Sequence, residues 1–269
     1  MSTGFDESRV RHGVADLGEV QLHYVEAGAP AAEGDGESRP LVLLLHGFPE
    51  FWYSWRHQLL PLAEAGCHVV APDLRGYNLS SKPAGSAEYT ADKLAGDVEA
   101  LIGHFGADTA TLVGHDWGAI VSWYVAMRSP QLVERIAILN GAHLLRYLEV
   151  LDADPRQRRM SWYVRFFQRP WLPELALTAG RCWGVRTLLR RDPVRKGAFS
   201  EEEIDRYAEA LLRPGAARAT INSYRALGAA ARVPAGSGQS LTELHRRIDH
   251  EVLLEFLGHP ALTPRRALA

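Results

Sequence analysis

The chain has 269 residues, of which 46% are hydrophobic and 23% charged, and its formal net charge is −2. This composition is typical of a globular protein, and its charge favours neither a nucleic-acid partner nor a membrane partner. It has two cysteines, no apolar run near the ~20 residues that span a bilayer, and no apolar segment in its first residues. We therefore expect a cytoplasmic protein without a disulfide framework.

The first half of the chain alternates short apolar runs with helical patterns. Val20, Leu22 and Tyr24 alternate with polar residues, and residues 10–14 are predicted to pair with them as a hairpin. Continuous apolar runs, typical of strands buried on both faces, follow at 41–45, 69–71, 110–113 and 136–139. Helical spacing at 91–105 and 119–127 lies between them. The pattern predicts a mostly parallel, doubly wound α/β sheet whose functional groups gather at the carboxyl ends of its strands.

Residues 144–226 show a different pattern, which is helical, aromatic and rich in arginine. This change predicts a helical cap inserted into an α/β core. The predicted divisions are a core at 1–143, a cap at 144–226 and an incomplete C-terminal part of the core at 227–269. With a near-neutral chain, the arginines are interpreted as a solvated face.

The stretch Gly-His-Asp-Trp-Gly at 114–118 stands between a predicted strand and a predicted helix. A Gly-x-Ser-x-Gly turn in this position lifts its central side chain above the sheet, and here that residue is Asp116. The positive end of the helix favours the ionised carboxylate, and the Trp117 N–H points towards a developing oxyanion. A second N–H is predicted from Phe48, in the loop after the 41–45 strand. The alternative is that Asp116 only caps the following helix.

A carboxylate nucleophile implies a particular chemistry. It is anionic at pH 7 without a base, and it can displace a leaving group at a saturated carbon to form an alkyl ester. Water must then cleave that ester, which requires an oxyanion hole and a histidine base oriented by an acid. The predicted substrate therefore carries an electrophilic alkyl carbon, such as an epoxide or a carbon–halogen bond.

Five motifs together resemble the epoxide hydrolase group of the α/β-hydrolase superfamily, and they follow its order over residues 10–227. In the core they are HGFPEFWYSWRHQL (46–59), DLRGYNLSSKP (73–83) and GHDWGA (114–119). In the cap they are SWYVRFFQRP (161–170) and INSYRAL (221–227). The resemblance implies an α/β-hydrolase fold with a helical cap, a small apolar epoxide and water as ligands, and no metal or organic cofactor.

The resemblance also implies roles for individual residues. Asp116 matches the nucleophile, and Phe48 and Trp117 match the residues whose amides form the oxyanion hole. Tyr163 and Tyr224 match the tyrosines that open the ring, because two phenol O–H groups can stabilise the alkoxide that forms. The residues expected to line the substrate pocket, or to pack beneath it, are His46, Pro49, Trp52, Trp55 and Phe167.

The C-terminal part departs from the family pattern. The family carries an acid and a Gly-His-Trp histidine on further strands, whereas here 45 residues follow Tyr224 and contain no Gly-His-Trp. Residues 241–257 fit a helix behind a capping box, and 251–257 alternatively fit a seventh strand. Asn140 cannot replace the acid, and His115 is expected to point away from the pocket. The remaining histidines after the cap, each interpreted as exposed rather than as a displaced base, are His245, His250 and His259.

The leading functional hypothesis is an epoxide hydrolase-like enzyme that forms an ester on Asp116, with turnover in question because no base is identified. The alternatives are a haloalkane or haloacid dehalogenase and a degenerate hydrolase that binds ligand without turnover. Without its last strands the sheet would expose its sixth strand as an edge. We therefore expect poor solubility or pairing with another chain, such as a homodimer.

Overall fold

The computed structural model describes residues 5–28, 39–191, 193 and 197–230, and within them six strands form one sheet. The order across the sheet is β1-β2-β4-β3-β5-β6. Strand β2 is antiparallel to both β1 and β4, and the other neighbours are parallel. The strands are β1 (Arg11–Asp16), β2 (Gln21–Ala27), β3 (Leu41–Leu45), β4 (His68–Pro72), β5 (Ala110–His115) and β6 (Val133–Leu139). The predicted hairpin and the mostly parallel sheet are confirmed.

The central strands are continuous apolar runs because both faces of the sheet are covered. Every residue of β3 and of β4 is buried. Leu43 and Leu45 pack in one core cluster with residues of helices α2 and α3, while Val42 and Leu44 pack in a second cluster. This second cluster contains Leu59 from α1. Alternate side chains of one strand thus hold helices on opposite faces.

The helices of the α/β part are α1 (Arg56–Glu64), α2 (Ala91–His104) and α3 (Trp117–Arg128). Helix α2 begins at Thr90, whose hydroxyl accepts the Lys93 N–H, and it buries the apolar face predicted from its spacing. Short 3₁₀ helices connect the larger elements at Glu7–Arg9, Trp52–Trp55, Ser86–Tyr89 and Pro130–Leu132.

Every element described after residue 143 is a helix, as expected for the arginine-rich stretch. These helices are α4 (Leu144–Ala153), α5 (Pro155–Met160), α6 (Trp162–Phe166), α7 (Leu172–Arg191), α8 (Glu201–Leu212) and α9 (Ala216–Ala230). Non-helical backbone at 179–182 divides α7 into two parts. Helix α9 continues to residue 230, beyond the predicted end of the cap at residue 226. The assignment of 144–226 as a separate cap stays a prediction, and we refer to residues 144–230 as the helical region.

The two interpretations of residues 241–257 fall outside the described residues. Within the described part of the chain, β6 pairs only with β5, and its last residue, Leu139, is exposed. None of the described helices combines the length and hydropathy needed to cross a bilayer.

The loop after β4 is joined to α2 by a buried ion pair, which gives a stability prediction. Arg75 is 2% exposed, and its Nε and Nη2 donate to the two oxygens of Asp97 at 2.8 and 2.6 Å. Asp97→Ala leaves a buried guanidinium without its main partner, so we expect a loss of about 3 kcal/mol in the free energy of unfolding, measured in urea.

A matched control removes an exposed ion pair in the same region. Lys93 pairs with Glu19 at the surface, where water already solvates both groups. Lys93→Met should leave the urea midpoint close to that of the wild type. If both variants lost the same free energy of unfolding, the buried pair of Arg75 and Asp97 would not have the importance assigned to it.

Candidate active site

Asp116 occupies a strained turn between β5 and α3. Its φ of +50° and ψ of −115° are rare for a non-glycine residue, and such a conformation costs about 1–3 kcal/mol. The turn also requires Gly118, because a Cβ there would lie 2.0 Å from the Leu45 carbonyl oxygen. The close approach of α3 to β3 therefore places Asp116 at the carboxyl end of the sheet and at the start of a helix.

Two backbone N–H groups converge on the Asp116 carboxylate. The Phe48 N–H donates to Oδ1 at 2.9 Å, and the Trp117 N–H also donates to the side chain. Gly47 makes room for this arrangement, since a Cβ there would lie 2.8 Å from Oδ1. The Asp116 side chain does not accept the N–H of the second or third residue of α3, which is the hydrogen bond that defines a helix cap. The geometry is therefore not that of a helix cap.

Burial has the largest effect on the charge of Asp116. It raises the pKa of the carboxyl above the usual value, against the lowering effect of the Phe48 and Trp117 N–H groups and of His115. The sequence indicates only the helix end, which favours the anion. The structure adds the cost of removing the carboxylate from water, a cost that favours the protonated form.

Five aromatic side chains, which we call the aromatic cluster, lie together beside Asp116. Tyr224 is at their centre, with its ring 5.0 Å from those of Trp117 and Phe167, 5.6 Å from that of Phe48 and 5.9 Å from that of Tyr163. The cluster joins the loop after β3, the start of α3, and helices α6 and α9. Two tyrosines predicted from separate motifs are therefore brought into edge-to-face contact.

The same environment keeps both phenols protonated. Burial raises the pKa of Tyr163 to about 12, with further contributions from Tyr147 and from the negative charge of Asp116. Burial also raises the pKa of Tyr224 well above its usual value, and again Asp116 contributes. Both groups are therefore O–H donors at neutral pH, and both are near enough to feel the charge of the carboxylate.

The helices that carry the two tyrosines are fastened to each other. Gln168 donates from Nε2 to the Tyr224 carbonyl at 2.8 Å. Arg225 donates to the carbonyls of Phe167 and Arg169, and it also forms an ion pair with Glu174. These contacts fix α9 against the end of α6 and so fix the distance between the phenols.

His46 and Pro49 lie in the loop that carries Phe48. The His46 Nε2 accepts the Leu74 N–H at 3.0 Å, its other nitrogen contacts the Gly47 carbonyl, and burial lowers its pKa. This neutral, fully buried ring holds two loops together. Pro49 borders a small enclosed cavity that Tyr77 also lines, with Ala210 and Leu211 of α8.

A hydrogen-bonded pair of a carboxylate and an imidazole, Glu50 and His115, lies beside Asp116 and was not predicted from the sequence. The Glu50 Oε2 accepts from the Gly47 N–H at 3.2 Å and from His115 Nδ1 at 3.0 Å. Burial acts to raise the pKa of Glu50, but the hydrogen bond from His115 leaves it below the usual value, and the same bond raises the pKa of His115. Both residues are within the quoted motifs, yet only the fold brings them together.

Trp52 and Trp55 are not brought to the aromatic cluster. Both belong to the second core cluster, where Trp52 packs against Phe5 and His12. Trp52 also borders an open cleft of about 520 Å³ between β1 and α8, whose lining includes neither Asp116 nor the two tyrosines. We place the chemistry at Asp116 rather than in this larger cleft, because the convergent donors lie there.

Among the residues that the structure describes, no base and no acid are assigned to the hydrolysis of an ester. His46 and His115 have the structural partners described above, and Asn140 follows β6 with a φ of +46°. The three candidate histidines after the helical region lie outside the described residues. No group of three or more potential metal ligands occurs within the residues that the structure describes.

Comparison with known proteins identifies the family to which the fold belongs. The family model for the alpha/beta hydrolase fold matches residues 40–206. AB hydrolase superfamily protein YfhM of Bacillus subtilis is 40% identical over 214 residues, which are 77% of this chain and 70% of that protein. Epoxide hydrolase 2 of Caenorhabditis elegans is 34% identical over 226 residues, 83% of this chain and 61% of that protein. The chain thus spans less than three quarters of the length of these relatives.

Solved structures give the same result. The epoxide hydrolase of Bacillus megaterium, determined in complex with an inhibitor, has a TM-score of 0.70 and 32% sequence identity. The match covers 80% of this chain and 71% of that one. The family model matches more than half of the residues of this chain. The chain therefore belongs to the α/β hydrolase fold family, and its relatives in that family include epoxide hydrolases.

Proposed function

We propose that this chain opens a small apolar epoxide through a covalent alkyl ester on Asp116. The observation that carries the proposal is a buried carboxylate that accepts the Phe48 N–H, lies beside the Trp117 N–H, and is near enough to two protonated phenols to raise their pKa values. Phe48 holds Oδ1, and Oδ2 attacks a ring carbon. The carbon–oxygen bond of the epoxide breaks, and Tyr163 and Tyr224 donate hydrogen bonds to the alkoxide. The alkoxide takes up one proton from the solvent, and hydrolysis of the ester later returns one proton to it.

The second half of the proposed reaction consumes one water. Water adds to the carbonyl carbon of the ester, the N–H groups of Phe48 and Trp117 stabilise the oxyanion, and a vicinal diol leaves while Asp116 is restored. The oxygen of this water remains in the restored carboxylate, and the diol leaves with the Asp116 oxygen that had attacked the ring carbon. Epoxide and water are thus fully accounted for by the diol, and neither metal nor organic cofactor takes part in the proposal.

Intact mass spectrometry with styrene oxide tests both halves. We expect the mass of the chain to increase by one styrene oxide, with the modification on Asp116. Steady diol production in ¹⁸O-water, with label appearing in Asp116, would show that a base completes the cycle. A persistent adduct without diol would show that only ring opening takes place, and the full diol-forming proposal would then fail.

Two further results would overturn the assignment altogether. The assignment of Asp116 as the nucleophile would be contradicted if another residue were modified, or if neither adduct nor diol were formed. Halide release from 1-chlorobutane, without reaction of the epoxide, would favour a dehalogenase that uses the same carboxylate. Binding without turnover that is unaffected by Asp116→Asn would favour a degenerate ligand-binding homologue.

The pKa shifts predict the pH dependence of adduct formation. The nucleophile must be ionised, so the rate falls as pH drops through the pKa of Asp116, which burial places above its usual value. The phenols must be protonated, so the rate should also fall at high pH when they lose their protons. For Tyr163 this loss occurs near its pKa of about 12. Single-turnover rates should therefore show no phenol-dependent fall between about pH 7 and about pH 10. A fall centred near pH 9 would contradict the donor role.

A further inference from the structure

The helical region contains a stretch of concentrated positive charge. Residues 155–191 include nine arginines and one acidic residue, Glu174, in a chain whose net charge is −2. Arg186 and Arg190 pair with carboxylates of α8. Within the described part of the chain, no carboxylate pairs with the exposed residues Arg156, Arg159, Arg165, Arg169 and Arg181. The net charge of the whole chain does not predict membrane contact, because it averages this positively charged stretch with the more acidic remainder of the chain.

Large apolar side chains are exposed in the same stretch. Trp162 is 63% exposed and Trp171 is 66% exposed, and Leu175 follows one turn later at 57%. Met160 and Trp183, which flank these residues in sequence, are also exposed. Tryptophan is usually mostly buried, and exposed apolar groups that occur close together mark interaction surfaces.

The spacing in α6 separates an inner and an outer face. Tyr163 and Phe167 are four residues apart and lie in the aromatic cluster. Trp162 and Arg165 are three residues apart on the exposed side, and hydrogen bonds continue the helical turn through Arg169. We define the tryptophan–arginine surface as Trp162, Arg165, Arg169, Trp171 and Leu175. The helix that presents Tyr163 inward thus presents part of this surface outward.

We propose that the tryptophan–arginine surface docks on an anionic lipid bilayer. Tryptophan favours the headgroup level, aliphatic side chains insert below it, and arginine binds lipid phosphate and carboxylate groups. A nucleic acid or an acidic peptide would bind the arginines but would leave the side chains of Leu172 and Leu175 exposed to water. Docking would bring α6 against the lipid, the phase in which an apolar epoxide accumulates. The proposal does not depend on the reaction assigned above.

Vesicle flotation tests the proposal on the full chain without any epoxide. We expect binding to vesicles of phosphatidylcholine with 30% phosphatidylserine at low salt, much weaker binding to pure phosphatidylcholine, and release at high salt. The double variant Arg165→Gln with Arg169→Gln should weaken partitioning roughly 25-fold, on the basis of about fivefold for each arginine. The matched control is Arg135→Gln with Arg146→Gln, which removes equal charge from side chains that are 78% and 77% exposed.

A second pair of variants tests the apolar contribution. Trp162→Gln with Trp171→Asn should weaken partitioning roughly 10-fold and reduce the blue shift of tryptophan fluorescence on binding. Asparagine is chosen because the φ of Trp171 is +45°. Thermal unfolding checks each variant, and Arg169→Gln alone replaces the double variant if the latter unfolds. No binding by the folded wild type, equal losses in the matched control, or RNA binding that needs only the arginines would overturn the proposal.

Discussion

Asp116→Asn should abolish the covalent capture of styrene oxide without disturbing the turn. The amide oxygen can still accept the Phe48 N–H that now meets Oδ1 at 2.9 Å, and asparagine tolerates the positive φ. A neutral amide, however, does not displace the ring oxygen. Since removing a covalent nucleophile costs enzymes on the order of 10⁶-fold, we expect no adduct within the time that modifies the wild type. Intact mass and diol assays measure both losses.

The stability of this variant gives an independent check. A carboxyl whose pKa is raised on folding contributes stability at low pH, and the contribution is lost as pH rises through the folded-state pKa. At neutral pH the wild type must therefore keep a charged group in a site that favours the neutral form. The neutral amide of the variant does not carry this cost, so the variant should melt no lower than the wild type at pH 7. The difference should disappear on acidification.

A matched control for Asp116→Asn is Asp108→Asn, an exposed change in the loop before β5. It should leave both adduct formation and melting unchanged. Normal adduct formation by Asp116→Asn would contradict the role of Asp116 as nucleophile. A clearly lower melting temperature of this variant at pH 7 would contradict the raised pKa assigned to the carboxyl.

The strands of the sheet could be predicted because burial on both faces leaves a local record. An uninterrupted apolar run such as 41–45 needs no knowledge of its neighbours, and β3 has those bounds. The hairpin of β1 and β2 could be predicted from a different local pattern, the alternation of apolar and polar residues in a strand that is buried on one face. The order of the strands and the kink that divides α7 depend on contacts between distant residues, and no local pattern records them.

The site was partly predictable for a related reason. Phe48 and Trp117 contribute backbone N–H groups to the proposed oxyanion hole, and the positions of these groups follow from the turns that the motifs encode. The direction of a side chain such as Trp52 depends instead on which of two apolar clusters accepts it, and composition does not distinguish them. The ionic pair of Glu50 and His115 was missed because its partners are 65 residues apart and adjoin Asp116 only once β3 and β5 are neighbours.

Replacing both phenols should slow adduct formation strongly, but about 100-fold less than loss of the nucleophile. Removing one oxyanion donor typically costs 10²–10³-fold, so Tyr163→Phe and Tyr224→Phe should each lower the single-turnover rate about 100-fold. The double variant should lose roughly 10⁴-fold. Quenched-flow mass spectrometry gives these rates directly, and the intact carboxylate of Asp116 still allows slow alkylation in every variant.

A third buried tyrosine supplies the control. The Tyr77 hydroxyl is buried beside the same loops but has no hydrogen-bond partner among the described residues, and Asp116 contributes to the raised pKa of its phenol. Tyr77→Phe therefore changes the same chemical group near the same charge and leaves Tyr163 and Tyr224 unchanged. Its rate should stay within about threefold of the wild type, well below the loss of an oxyanion donor. If Tyr77→Phe were as slow as Tyr224→Phe, the effect of the phenols would be a general effect of buried dipoles. If only Tyr163→Phe and Tyr224→Phe are slow, the alkoxide is bound where α6 and α9 meet, at the position that Gln168 and Arg225 fix.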